Sequence, residues 1–225
     1  MRATNFNHIL PAIILSSLAG SLDAYSYINF GKVFAGMQTG NIIILSIRIG
    51  QGAWSATPPY LLSIFMFVLG TLVTRFIQHQ TRLKEKGEAG LIVLLFETVM
   101  MLLAAMLQDY VPPLVITSFF ALAAAAQFQE FRSLGKHSYA STMMTGNLRN
   151  LTESFYDAVF LKDALAKNRL KYLSMVLASF VLGVLITAFL NLQLGLYSIW
   201  ILVFGLFLVM LMGIRLGGLD QAGNK

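Results

Sequence analysis

The sequence predicts an all-α, polytopic membrane protein. It should have six transmembrane helices forming an inverted 3+3 repeat, each half carrying a short helix begun by a Thr-Gly-Asn triplet, re-entrant or interfacial. Three observations lead there. The first is composition: 57% hydrophobic and 12% charged residues, with a mean hydropathy of +0.72, against about 45–50% apolar and about 25% charged in soluble domains. The second is the set of apolar stretches without charge, near the roughly 20 residues a bilayer span needs. The third is a repeat: Thr39-Gly40-Asn41 returns 106 residues later as Thr145-Gly146-Asn147, each time two residues after a Met, Met37 and Met143. Polar helix-initiating motifs in corresponding positions of two apolar halves are a pointer to transporters.

The first span runs from Ile9 to Phe30. Arg2 precedes it as in a signal peptide, but no small-residue cleavage pattern follows, so it reads as a retained helix. The second span, Tyr60–Ile77, follows Pro58-Pro59, and the fourth, Leu114–Phe131, follows Pro112-Pro113. A missing amide N–H costs little at a helix start. Leu91–Gln108, Leu170–Leu190 and Leu196–Ile214 are the third, fifth and sixth, with Asn191–Gly195 as a tight connection between the last two. Residues 1–225 then form one transmembrane domain, with repeats of approximately 9–108 and 114–214 joined by a short turn at 109–113.

With six crossings, 14 of the 16 Lys and Arg fall on one side, Lys32 and Arg48 being the exceptions. The positive-inside rule puts that side, with both termini, in the cytoplasm. Three crossings per half turn the second repeat upside down, an arrangement suited to alternating access. The net charge of +6 is gathered in loops between spans, which suits anionic lipid as partner and not nucleic acid.

The residues after each triplet, Ile42 to Arg48 and Leu148 to Tyr156, are too short for a full crossing. Helices that start at membrane depth present free N–H groups to a small anion or polar group, and irregular backbone there must be buried in protein or line a wet cavity. The alternative is plain packing, with Gly40 and Gly146 allowing close approach and Asn41 and Asn147 capping. Ionisable residues within spans cost about 2.5–3.5 kcal/mol on insertion scales, so function is the default hypothesis for them. Asp23, near the end of the first span, and Glu97, two turns into the third, are the candidates for proton coupling, and Glu97 could instead pair with Arg48. Gln127 and Tyr27 complete the candidate substrate- or ion-binding set of Asp23, Tyr27, Thr39, Gly40, Asn41, Glu97, Gln127, Thr145, Gly146 and Asn147.

Other chemistry finds little footing. There is no Cys, so no thiolate metal site, and the three His residues lack ligand spacing. No phosphate-binding loop is present, and His137 near Ser138 and Ser141 lacks a positioned acid. The expected protein is therefore not an enzyme and needs no cofactor or metal.

Ser21-Leu22-Asp23-Ala24-Tyr25-Ser26-Tyr27, Gly31-Lys32-Val33-Phe34 and Met37-Gln38-Thr39-Gly40-Asn41 resemble the first-half signature of the YoaK family of bacterial integral membrane proteins. Gln127 and Met144-Thr145-Gly146-Asn147-Leu148 are similar to its second half, while Gln129-Glu130 departs from the pattern. The resemblance implies a multi-pass protein of the bacterial cytoplasmic (inner) membrane carrying a domain of unknown function, and it supplies no substrate. The residues themselves favour a secondary transporter of a small polar or anionic molecule. A passive channel and a membrane scaffold or sensor remain as alternatives, and a homo-oligomer is compatible with each.

Overall fold

A computed structural model describes residues 6–81, 88–131, 133–134, 137–138 and 144–215. Each apolar segment of the sequence lies on a helix. They are α1 (Phe6–Asn29), α3 (Pro58–Thr81), α4 (Glu88–Leu107), α5 (Pro113–Glu130), α7 (Ala164–Leu194) and α8 (Ile199–Arg215). The two triplets begin shorter helices, α2 (Gln38–Gly50) and α6 (Met144–Val159). A two-residue hairpin, β1 (Ser133–Leu134) with β2 (His137–Ser138), is the one strand pairing among the described residues.

Local chemistry sets the ends. Pro113 occupies the first turn of α5, where its ring is preorganised for helix. The Asp163 carboxylate accepts from the Leu165 N–H at 2.8 Å and caps α7. Gly195, at φ 54°, lets the chain leave α7 in a left-handed turn.

The helices interlock across the halves. α1 packs along α7 and α3 along α5, the two most extensive interfaces. α4 lies on α5 as α8 lies on α1, α2 lies on α3 as α6 lies on α7, and α4 meets α8. Exchanging α1–α4 with α5–α8 therefore maps these contacts onto one another, and the α4–α8 contact onto itself. The main core forms where α1, α4, α5 and α8 converge, around Tyr25, Phe30, Met101, Phe120, Ile199 and Leu206.

Both cross-half pairs use one packing device. On α7, Gly183 sits against the backbone carbonyl of Ser17 of α1, where a methyl group would overlap that oxygen. Ser21 Oγ also donates to the Gly183 carbonyl at 3.1 Å. On α3, Gly70 sits against the Leu122 carbonyl and the Ala125 methyl of α5. Small residues are what let apolar helices approach this closely.

Eight residues beyond each glycine an amide ties the same pair together. Asn29 Nδ2 of α1 donates to Asn191 Oδ1 of α7 at 2.8 Å, and Ser198 Oγ joins at 3.3 Å. Gln78 Nε2 of α3 donates to Glu130 Oε2 of α5 at 2.6 Å, and Gln129 Nε2 donates to Gln78 Oε1 at 3.1 Å. Gly70 and Gln78 are thus matched by Gly183 and Asn191 at a spacing of 113, seven more than the triplets. The difference lies in α7, 31 residues long against 24 for α3. Seven residues are about two helical turns, which preserves the packed face.

Among the described residues, three helical stretches are long and apolar enough to cross a membrane: Trp54–Thr81, Ala89–Leu107 and Ala164–Ile214, the last containing both α7 and α8. α5 is rich in small residues, Ala121 and Ala123–Ala126 among them, and buries most of its length against protein.

Candidate functional site

The candidate site is built on the turn between α1 and α2. Asp23 lies six residues before the end of α1, yet its carboxylate accepts from Gly36 N–H at 2.7 Å and from Met37 N–H at 3.4 Å. At 1.5 Å per residue, the chain has doubled back about 9 Å along α1 before α2 begins. Residues 30–37 therefore form a loop that folds back along α1, and α2 starts beside the last turns of α1.

Such a loop exposes backbone groups that neither lipid nor a helix ladder can satisfy. Side chains from three helices answer them. Asn41 of α2 accepts from Phe34 N–H at 2.9 Å and donates to the Phe34 carbonyl at 2.8 Å. Its Nδ2 also reaches Ser63 Oγ of α3 at 3.1 Å, and Ser63 Oγ donates to the same Phe34 carbonyl at 3.2 Å. Ser26 Oγ donates to the Val33 carbonyl at 2.8 Å and Gln38 Nε2 to that of Ala35 at 2.8 Å. Tyr60 reaches the Gly31 carbonyl at 3.3 Å. Asn41 and Ser63 are fully buried.

The triplet divides its labour. Thr39 faces outward, Gly40 packs against the Phe34 ring and the Met37 methyl, and Asn41 turns in. Asn41 is not the helix cap the sequence suggests: α2 begins at Gln38 with no side-chain cap, and Asn41 folds back from the fourth position. The second triplet shows the same pattern, Thr145 exposed, Gly146 intermediate and Asn147 buried. Asn147 Nδ2 points to Met144 Sδ at 3.7 Å. Residues 139–143, Met143 among them, answer to most of the first loop and lie outside the described set.

Tyr27 stacks on Phe34 with ring centroids 4.7 Å apart, and Lys32 Nζ lies 4.9 Å from the Tyr27 ring centroid. A cation over an aromatic ring is attracted by the ring's quadrupole. That contact gives Lys32 a place that the charge pattern alone left undefined.

Gln127 and Glu97 sit elsewhere. Gln127 bridges α5 to α1, donating to the Leu15 carbonyl at 2.7 Å. Glu97 is 1% exposed on α4, one turn from Leu94 and Met101. Its Oε2 has no hydrogen-bond partner among the described residues, whereas Arg48 lies exposed on α2. The alternative pairing of Glu97 with Arg48 is not formed, since the one ion pair among the described residues joins Arg149 and Glu153 at 3.5 Å. The two triplets occupy separate clusters, the first against α3 and the second against α7. Sequence reading missed Ser26, Ser63 and Tyr60 as parts of the first cluster. A polar Ser63 inside an apolar span was the available signal.

The chain is 24% identical over 216 residues to the UPF0700 transmembrane protein YoaK of Bacillus subtilis (strain 168), covering 92% of this chain and 95% of that one. No solved structure matches. The model of the family described as "Protein of unknown function (DUF1275)" matches residues 11–212, so this chain, a membrane protein, belongs to the DUF1275 family.

Proposed function

We propose that this protein is a secondary transporter of a small polar or anionic molecule, coupled to proton movement through Glu97. The observation that carries the reading is the Glu97 carboxyl, buried in an apolar helix with one oxygen unpartnered among the described residues. A buried polar group without a partner costs free energy, and a packing role would be filled more cheaply by Leu or Met. Reversible binding of a proton at that oxygen gives the residue a use that burial alone does not.

The surrounding architecture supports the same reading. Six crossings with both termini in the cytoplasm agree with the charge distribution. In that frame the exchangeable helix contacts are those of an inverted 3+3 repeat. The Asn29–Asn191 tie then sits at the outer end and the Gln78–Gln129–Glu130 tie at the inner end. Opening one while the other stays closed is the movement alternating access requires. In this scheme Asp23 is not the proton carrier, because its carboxylate is committed to the loop backbone.

The test is reconstitution into vesicles holding a pH-sensitive dye, with gradients of small carboxylates, amino acids, sugars and cations imposed in turn. The expected result is a saturable, substrate-dependent proton flux that Glu97→Gln abolishes while the protein stays folded. A substrate-driven proton flux of equal size in Glu97→Gln would exclude Glu97 as the coupling group.

A further inference from the structure

We infer that the elbow between α6 and α7 is a binding surface for anionic phospholipid headgroups. The inference does not depend on transport. It begins with α6, whose Leu151 packs with the Tyr172–Val176 cluster of α7 while Leu148, Phe155, Tyr156 and Val159 stay 49–56% exposed. Successive positions place Leu148, Phe155 and Val159 on one stripe, with Arg149, Glu153 and Asp157 turned away from it. The stripe runs on through Phe160, Leu161 and Leu165, each 64–65% exposed. An amphipathic helix with aromatic residues on its apolar face lies in the plane of a bilayer interface.

Charge identifies which lipid. Lys162, Lys167, Arg169 and Lys171 are exposed immediately beside the stripe. The nearby acids are largely committed, Glu153 to Arg149 and Asp163 to the α7 N-terminus. Lys167 and Lys171 are one turn apart on the same side of α7. Lys167 and Arg169 ride on the two turns by which α7 exceeds α3, so the feature that breaks the match between the halves also builds this basic platform.

Lys162 adds an independent observation. Its backbone has φ 55°, a conformation glycine adopts freely and other residues disfavour. A lysine held there keeps a side chain where the backbone would favour none, at the tip of the elbow between Leu161 and α7.

The test uses the full chain in detergent with equal amounts of phosphatidylglycerol and phosphatidylcholine, retained lipid being counted by native mass spectrometry. Lys162→Gly is the main variant because it relieves the backbone and should fold at least as well as the parent. At about 1 kcal/mol per basic residue near an anionic surface, its preference for phosphatidylglycerol is expected to drop about fivefold. Lys162→Gln/Lys167→Gln/Lys171→Gln is expected to retain both lipids equally, and glycerol phosphate added in solution is expected not to displace the bound lipid. Equal retention of both lipids by the parent chain, or an unchanged preference in both variants, would overturn the inference. Displacement by glycerol phosphate would reassign the surface to soluble phosphates.

Discussion

The side-chain amide of Asn41 pairs with both backbone groups of Phe34, accepting from its N–H at 2.9 Å and donating to its carbonyl at 2.8 Å. It supplies a loop residue with the partners that a neighbouring strand would supply in a sheet. Together with Asp23, Ser26, Gln38, Tyr60 and Ser63 it lets the chain turn back beside α1 without leaving its amides unanswered. The first Thr-Gly-Asn triplet is thus a device for building a turn that doubles back on α1, whatever else it touches.

Asn41→Ala leaves the Phe34 N–H without its partner, while Ser63 Oγ still serves the carbonyl. At about 1–3 kcal/mol for an unsatisfied group, a loss of about 1–3 kcal/mol is expected. Denaturation of the detergent-purified protein, followed by circular dichroism, measures it. A loss below 0.5 kcal/mol would mean that water reaches the loop.

Asp23→Asn keeps one acceptor oxygen for the Gly36 N–H, whereas Asp23→Ala keeps none. The asparagine variant is expected to retain more stability than the alanine variant and to retain substrate-driven proton flux. If Asp23→Asn abolished flux in a folded protein, the carboxylate would be part of the coupling machinery and not only of the loop.

Gly183→Leu forces the α1–α7 crossing apart at Ser17, and Gly70→Ala presses on Leu122 and Ala125. Overpacking of this kind costs about 1–3 kcal/mol. Among the described residues nothing lies within 4 Å of where a Cβ at Gly146 would stand, so Gly146→Ala should stabilise α6 by roughly 0.5–1 kcal/mol. Thermal unfolding of the three variants side by side checks the order.

Glu97→Leu removes a buried carboxyl without creating an unpaired partner, and is expected to be neutral or stabilising while it abolishes proton coupling. A large destabilisation would point to a structural partner for the carboxyl and weaken its assignment to transport.

The apolar helices and the two short helices after the triplets were legible because hydropathy and polar interruptions are local signals. The loop cluster was less so. Asp23 and Asn41 could be singled out as costly in an apolar setting, but their partners lie up to 22 residues away, as Ser63 does from Asn41. The glycine and amide pairs between α1 and α7 and between α3 and α5 do not recur at the spacing of the triplets. The two extra turns of α7 displace Gly183 and Asn191 from the spacing of 106 at which the triplets recur. Glu97 was visible as an intramembrane acid, but its lack of a partner depends on how α4 packs, which no local pattern encodes.

Membrane-impermeant maleimide labelling of Ser55→Cys and Asn168→Cys tests the central claim, that the two halves are inverted, most directly. The chain has no cysteine of its own, and both positions are exposed. Ser55 precedes α3 and Asn168 lies on the early turns of α7, so an inverted repeat places them on opposite faces of the membrane. Labelling of Ser55→Cys in intact spheroplasts, with Asn168→Cys reacting only after permeabilisation, is the expected result. Reaction of both from the same side would contradict it.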